Sequence, residues 1–269
     1  MSEANTDVAR RGGIPRLLWG MIVHPRATLE TLNERGGPTW WVPALLAALM
    51  IVLPIIVGTP IRTRETREAM LAAQEQFGEQ QDEEMSAEEQ AQMEQAMSVA
   101  ASPLITAVFP AVGGVVVRGL SWLAWAGALY LAGMALGGRS TFGQMFRMVV
   151  WTWLPYALRG LIQTIYIVTS GQIIANPGLS GFARGQQTVE EMVAAPPSPG
   201  QTLLAALLSK MDLYLIWNLI LLVIGVTVIT HLPRRKAIVA TLGVWVLMTA
   251  LGLAPSLIGS LFTQQVSGF

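Results

Sequence analysis

The residues able to do chemistry in this chain are few, and the sharpest are polar groups set inside apolar runs. Arg159 follows Pro155 by about one helical turn and stands next to Gly160. Arg118 is the one charge in the apolar stretch from Leu104 to Leu136. Gln163 and Asn218 are amides in two further apolar runs. Ionisable and strongly polar side chains in such surroundings are costly, so they are where function is sought first. For Arg159 two readings stand: an anchor that snorkels back to headgroup phosphates, or a buried cation facing an anionic ligand or lipid headgroup. No acid is expected inside any span to pair with it, while Trp151, Trp153 and Trp125 offer ring faces. Arg118 reads as a snorkelling anchor near the outer headgroups. Gln163 and Asn218 fall at comparable depth and read as an interhelical amide pair. Asp212, two residues after Lys210, reads as a local charge pair or a helix N-terminal partner.

Nothing assembles into a catalytic set. The chain has no cysteine and two histidines, His24 and His231, each close to a proline. That excludes thiolate metal centres and a thiol nucleophile, and leaves no converging Ser/His/Asp constellation. No HExxH, P-loop or GxGxxG pattern occurs. Met70, Met85, Met93 and Met97 lie without cysteine or histidine, so they read as helix packing rather than a soft-metal site. No catalytic residue, cofactor or metal is expected, and the chain is read as a non-enzyme.

The elements that position these residues follow from composition. Of 269 residues 52% are hydrophobic and 13% charged, with mean hydropathy +0.50. A soluble domain carries about 25% charged residues. An ordinary soluble enzyme, a disordered scaffold and a nucleic-acid binder are thereby excluded, and the lipid bilayer is the expected solvent. A span needs about 20 apolar residues. The expected architecture is an all-α membrane protein with five transmembrane helices, N-terminus cytoplasmic and C-terminus extracytoplasmic. The spans are 40–60, 104–137 with an interfacial lead-in, 149–174 kinked at Pro155, 211–231 and 237–257. Whether 104–137 is one long kinked helix or an interfacial helix plus a span near Val117 to Leu136 stays open. So does the choice at Pro155 between an interfacial helix ending at Trp153 and a single kinked helix.

Between the spans lie 1–39, 61–103, 138–148, 175–210, 232–236 and the tail 258–269. Ile14, Leu17, Leu18, Met21 and Ile22 keep i, i+3, i+4 spacing beside Arg10, Arg11 and Arg16. They predict a short amphipathic helix, lying on an anionic inner leaflet or packed on the protein's own cytoplasmic face. Residues 61–103 are acidic and rich in helix formers, and predict two extracytoplasmic helices with a break near Gly78 to Ser86, where Ser86 and Glu89 form a capping box. Thr141 and Gln144 form another. Segment 175–210 reads as a Pro/Gly-rich loop, with Glu190-Glu191 in a single turn. Counting basic residues fixes the orientation. With the N-terminus inside, Arg62, Arg64, Arg67, Arg184 and Lys210 lie outside, Arg118 and Arg159 lie within apolar runs, and the other ten of the 17 lie inside. No signal peptide is expected ahead of the first apolar run.

Three stretches resemble the Yip1-domain membrane proteins in their bacterial form. They are Val23-His24-Pro25-Arg26 ahead of the first span, Gly137-Gly138-Arg139-Ser140-Thr141-Phe142 leading to Trp153-Leu154-Pro155, and a closing pair of spans split by a short basic loop. The motif positions are His24, Pro25, Gly137, Gly138, Phe142 and Pro155. The resemblance implies five spans, a cytoplasmic N-terminus and no family active site. Eukaryotic relatives bind small prenylated GTPases in vesicle traffic; bacterial ones often accompany ABC exporters. The expected function is a scaffold or accessory subunit of a membrane complex, with ABC exporter components as candidate partners, in the bacterial cytoplasmic membrane. The alternative is a small-molecule or ion transporter or channel with Arg159 in its permeation or binding site.

Overall fold

The structure is a computed structural model that describes residues 13–80, 87–100, 102–174, 176–184 and 198–266. Its elements are helices, with no strand among the described residues. In chain order they are α1 (Ile14–Val23), α2 (Pro25–Arg35), α3 (Trp41–Gln80), α4 (Ala87–Ala100), a π-helical turn (Leu104–Val108) running into α5 (Phe109–Ala135), α6 (Phe142–Thr152), α7 (Leu154–Ser170), α8 (Gly181–Arg184), α9 (Pro199–Leu208), α10 (Leu213–Thr230) and α11 (Arg234–Val266). Among the described residues, four stretches are long and apolar enough to cross a membrane: Trp41–Glu68, Leu104–Ala135, Leu213–Thr230 and Arg234–Ala254. The third expected span, 149–174, is divided at Trp153, as in the reading of a helix that ends there, and α7 has 17 residues.

The chain forms two compact units. The first comprises residues 1–48, 118–159 and 176–269; the second, 49–117 and 160–175. The core of the first gathers Leu17 and Met21 of α1, Leu29 and Leu32 of α2, Trp122, Trp125 and Leu129 of α5, Met145, Met148 and Trp151 of α6, and Leu221, Leu222 and Val226 of α10. α10 is its axis, with α2, α6 and α11 all packed against it. Outward-facing apolar side chains such as Ile216 and Ile220 on α10, and Val239 and Val246 on α11, stay exposed. Such rows are what lipid-facing helix surfaces present.

Several expectations are corrected. The boundary after residue 60 is not a helix end: α3 continues through Pro54 and Pro60 to Gln80. Beyond Pro60 the chain is rich in helix formers, and an Arg64–Glu68 pair at 3.2 Å spans one turn. The helix runs through Gly78; residues 81–86, with the proposed Ser86 cap, lie outside the described residues. Glu65, Glu68 and Glu88 are exposed, as expected of a solvated helix. Residues 104–135 form one continuous helical path, entered through the π-helical turn, where Thr106 Oγ1 donates to the Ser102 carbonyl at 2.9 Å. The loop 175–210 contains α8 and α9; α9 starts on a capping box in which Gln201 N–H donates to Ser198 Oγ and Ser198 N–H to Gln201 Oε1. The Glu190-Glu191 turn lies outside the described residues. The last helix begins at Arg234 and runs past 257 to Val266.

Other local readings hold. The Thr141–Gln144 capping box is formed on both sides, at 3.3 Å and 2.9 Å. α1 buries Leu17 and Met21 against the protein, which selects the packed reading for that part of its stripe. The N-terminal segment holds a second helix as well. His24 separates α1 from α2 and its carbonyl accepts from Thr28 N–H at 3.1 Å and Thr28 Oγ1 at 3.0 Å. Thr28, Leu29 and Leu32 of α2 are buried.

In the second unit, Gly160 lies where a Cβ would meet the backbone of Met50, 3.1 Å from its carbonyl carbon. α7 and α3 therefore touch backbone to backbone there, and a carbonyl cannot step aside as a flexible side chain would. Gly160→Ala should lower stability by about 1–3 kcal/mol, the range for overpacking. Thermal unfolding in detergent checks this, with Gly119→Ala, where a Cβ meets nothing within 4 Å, as the tolerated control.

Candidate intramembrane polar site

The site is built in the first unit around the break between α6 and α7. Pro155 has no N–H, so it cannot donate to the Trp151 carbonyl four residues earlier. The chain tightens: Trp153 N–H donates to the Val150 carbonyl at 3.3 Å, and Tyr156 N–H to the Trp153 carbonyl at 3.0 Å. Both are i to i−3 bonds, and the second diverts the N–H that would otherwise reach Thr152. The Thr152 carbonyl is then a buried acceptor without a helical donor. Asn218 of α10 supplies one: its Nδ2 donates to Thr152 O at 2.7 Å, and the residue is 1% exposed. The amide of Asn218, expected to pair with that of Gln163, thus bonds a backbone carbonyl of another helix. Gln163 lies on α7 in the second unit, half-buried.

Contacts on either side of the break fix the register of α6 and α7 against α10. Near one end, Gln144 and Met148 line a small void together with Ile229. Met148 packs so closely on Gly225 that a Cβ there would lie 2.5 Å from Met148 Cγ. Thr152 meets Asn218, and Arg159 meets Asp212. As the number rises along one strand of contacts it falls along the other, at nearly constant sum. The segment from Gln144 to Arg159 therefore runs antiparallel along the whole length of α10, across the break.

Arg159 is paired, contrary to expectation. Its Nη1 lies 2.9 Å from Asp212 Oδ2, with side chains 30% and 12% exposed. The other oxygen, Oδ1, accepts from Leu215 N–H at 2.8 Å and caps α10. One carboxylate thus neutralises a cation and satisfies a free helix N–H. Of the two readings of Asp212, the helix N-terminal partner holds, while its charge pair is with Arg159, 53 positions away in sequence, rather than with Lys210.

Arg118 holds the ring contacts sought for Arg159. Its guanidinium carbon lies 4.2 Å from the centre of the Trp153 ring and 5.9 Å from that of Tyr156. Those rings are 4.8 Å apart, and Trp125 meets Trp153 edge-on at 6.4 Å. The quadrupole of an indole face attracts a cation, more strongly when water is excluded. Arg118 is therefore more than a snorkelling anchor: it ties α5 to the break.

Of the motif positions, Pro155 stands at the break and the others lie toward the opposite end of α10. Gly137 takes φ 88°, and Gly138 sits where a Cβ would be 2.8 Å from Thr230 Cβ. Phe142 stacks on Phe146 at 6.3 Å and meets Tyr130 edge-on at 6.4 Å. His24 and Pro25 start α2, and His231 closes α10 in the left-handed region at φ 56°. Among the described residues, no three or more His, Cys, Asp or Glu side chains stand together where a metal could be held. The arrangement of Arg118, Trp153, Tyr156, Arg159, Asp212 and Asn218 can fix helices; it does not bring a nucleophile to a base.

Two outcomes follow. Asn218→Leu leaves the Thr152 carbonyl buried without a donor and should cost about 1–3 kcal/mol, read as a lowered Tm in detergent. Arg159→Leu strands the Asp212 carboxylate, whereas Arg159→Leu with Asp212→Asn removes the charge and keeps a capping side chain. The double variant should unfold at a higher temperature than Arg159→Leu alone. A double variant no more stable than the single one would show that the ion pair contributes nothing.

A family model for the Yip1 domain matches residues 19–254. No curated protein and no solved structure matches the chain. The match runs from within α1 to within α11 and takes in α2, the broken α6–α7 segment and α10, so this is a multi-pass membrane protein that belongs to the Yip1-domain family.

Proposed function

We propose that the protein is a non-enzymatic scaffold or accessory subunit of a membrane complex, such as an ABC exporter, in the bacterial cytoplasmic membrane. It would cross the bilayer five times, with its N-terminus inside and its C-terminus outside. The observation that carries this reading is the destination of the intramembrane polar groups. Arg159 is held by Asp212, Asn218 by the Thr152 carbonyl and Arg118 by the Trp153 ring. Groups bound to their own chain fix helices in place; a permeation site would direct them at a path for solute. This favours a structural role over the transporter or channel reading.

The count of five is supported by the register. α10 has 18 residues and so measures about 27 Å at 1.5 Å per residue. The segment Gln144 to Arg159 follows it antiparallel from one end to the other, so if α10 crosses, this broken segment crosses beside it. The third crossing is then centred on Trp151 rather than on 149–174 as a unit. The orientation rests on the excess of Arg and Lys at the His231 end of α10.

Reporter fusions test the topology. Fusions at Gly36, Gln80, Arg139, Gln187, Arg235 and the C-terminus should alternate inside, outside, inside, outside, inside, outside. An inside signal at Gln187 would remove the broken crossing. Purification from the native membrane in mild detergent tests the role. A stoichiometric membrane-protein partner is expected; recovery of the chain alone, with transport activity after reconstitution, would contradict it in favour of the transporter.

A further inference from the structure

The helix α1 has two apolar faces, and the protein covers one. Leu17 and Met21 are buried in the core. Pro15, Trp19, Ile22 and Val23, spaced i, i+4, i+7 and i+8, form a second row on the other side. This row is exposed, Trp19 at 66%, Ile22 at 44% and Val23 at 45%. The neighbouring helix α2 is built the opposite way. It buries Thr28, Leu29 and Leu32 and turns out Arg26, Glu30 and Glu34, with Arg26 and Glu30 paired at 3.0 Å. The two helices are locked at a close approach, since a Cβ on Gly20 would collide with Thr28 Oγ1. One hairpin thus presents an apolar helix and a polar helix to its surroundings.

The hairpin also has a fixed height. Arg147 Nη1 donates to the Leu32 carbonyl at 3.0 Å and Gln144 Nε2 to Asn33 Oδ1 at 3.0 Å. Leu29 and Leu32 line the same small void as Ile229, the next-to-last residue of α10. That is the end of the span where the chain turns: Arg139 N–H donates to the Thr230 carbonyl and Lys236 Nζ to the Leu136 carbonyl. Arg234 and Arg235 stand beside Lys236 there. A helix at the end of a span, beside a basic turn, lies at the level of lipid headgroups. Tryptophan is the side chain most suited to that level.

We propose that the Pro15, Trp19, Ile22 and Val23 row of α1 is immersed in the headgroup–acyl boundary of the chain's own phospholipid bilayer, in the leaflet at the basic end of α10. The α1–α2 hairpin is then a float: one side grips the core, one lies in lipid, and the Arg26–Glu30 face of α2 meets water. This rests on α10 crossing the membrane and is independent of the scaffold reading.

The chain lacks cysteine, so single labels are unambiguous. Trp19→Cys, Ile22→Cys and Glu30→Cys are placed singly in the full chain, given a nitroxide and reconstituted in phosphatidylglycerol/phosphatidylcholine nanodiscs. Relaxation by oxygen and by an aqueous nickel chelate then gives depth. Labels at 19 and 22 should lie about 5–10 Å into the headgroup–acyl boundary, with the label at 30 in water. Nickel access at 19 and 22 equal to that at 30 would overturn the proposal, as would exclusion of both relaxants, the mark of cover by protein, including a second copy. Because 19 and 22 are read independently, failure of one variant to fold leaves the other decisive.

Discussion

The structure turns on one buried hydrogen bond, from the Asn218 amide to the Thr152 carbonyl at 2.7 Å. Inside a bilayer no water can satisfy a freed backbone group, so a broken helix survives only where the protein supplies a partner. Pro155 and the tight turn at Trp153 free that carbonyl, and α10 brings the donor. The contacts on either side of the break share the register of this bond. It fixes the register of α6 on α10, which puts Arg159 beside Asp212 and Met148 against Gly225. Next to the break, Arg118 lies over the Trp153 ring at 4.2 Å.

The electrostatics follow the same economy. Asp212 is shared between the α10 N-terminus and Arg159, so one acid answers two needs. Arg118 is stabilised by ring faces, which need no second acid. At the other end of α10 the connections are backbone and small residues: Gly138 against Thr230, and Arg139 N–H to the Thr230 carbonyl. Polar ties at one end and close glycine packing at the other hold α5, α6 and α10 as a frame. Their outward sides remain apolar and open, which suits a protein surrounded by lipid.

Much of this was legible in the sequence, and what was not has a physical reason. α10 could be read to within two residues because an uncharged apolar run ends at His231-Leu232-Pro233. The Thr141–Gln144 cap was legible because it is local. The Pro155 region was legible as a break, but its direction was not, since the donor comes from Asn218, 66 positions away. Arg159 was legible as a residue needing a partner; Asp212 was passed over because it stands outside the apolar run, as a cap. α2 was missed because its mean polarity hides three buried residues, Thr28, Leu29 and Leu32, at i, i+1 and i+4. The end of α3 was misplaced because the apolar run stops at Thr59, whereas the helix continues through Pro60 into residues that are strong helix formers.

The central claim is that the broken α6–α7 segment lies antiparallel along α10 in one register. Pairwise disulfide trapping in native membranes tests it directly, because the chain brings no cysteine of its own. Met148→Cys with Gly225→Cys joins two positions in direct contact and should cross-link readily under mild oxidation. Met148→Cys with Leu221→Cys is displaced by one turn of α10 and should not. Efficient cross-linking of the displaced pair, with none between 148 and 225, would contradict the register and everything derived from it.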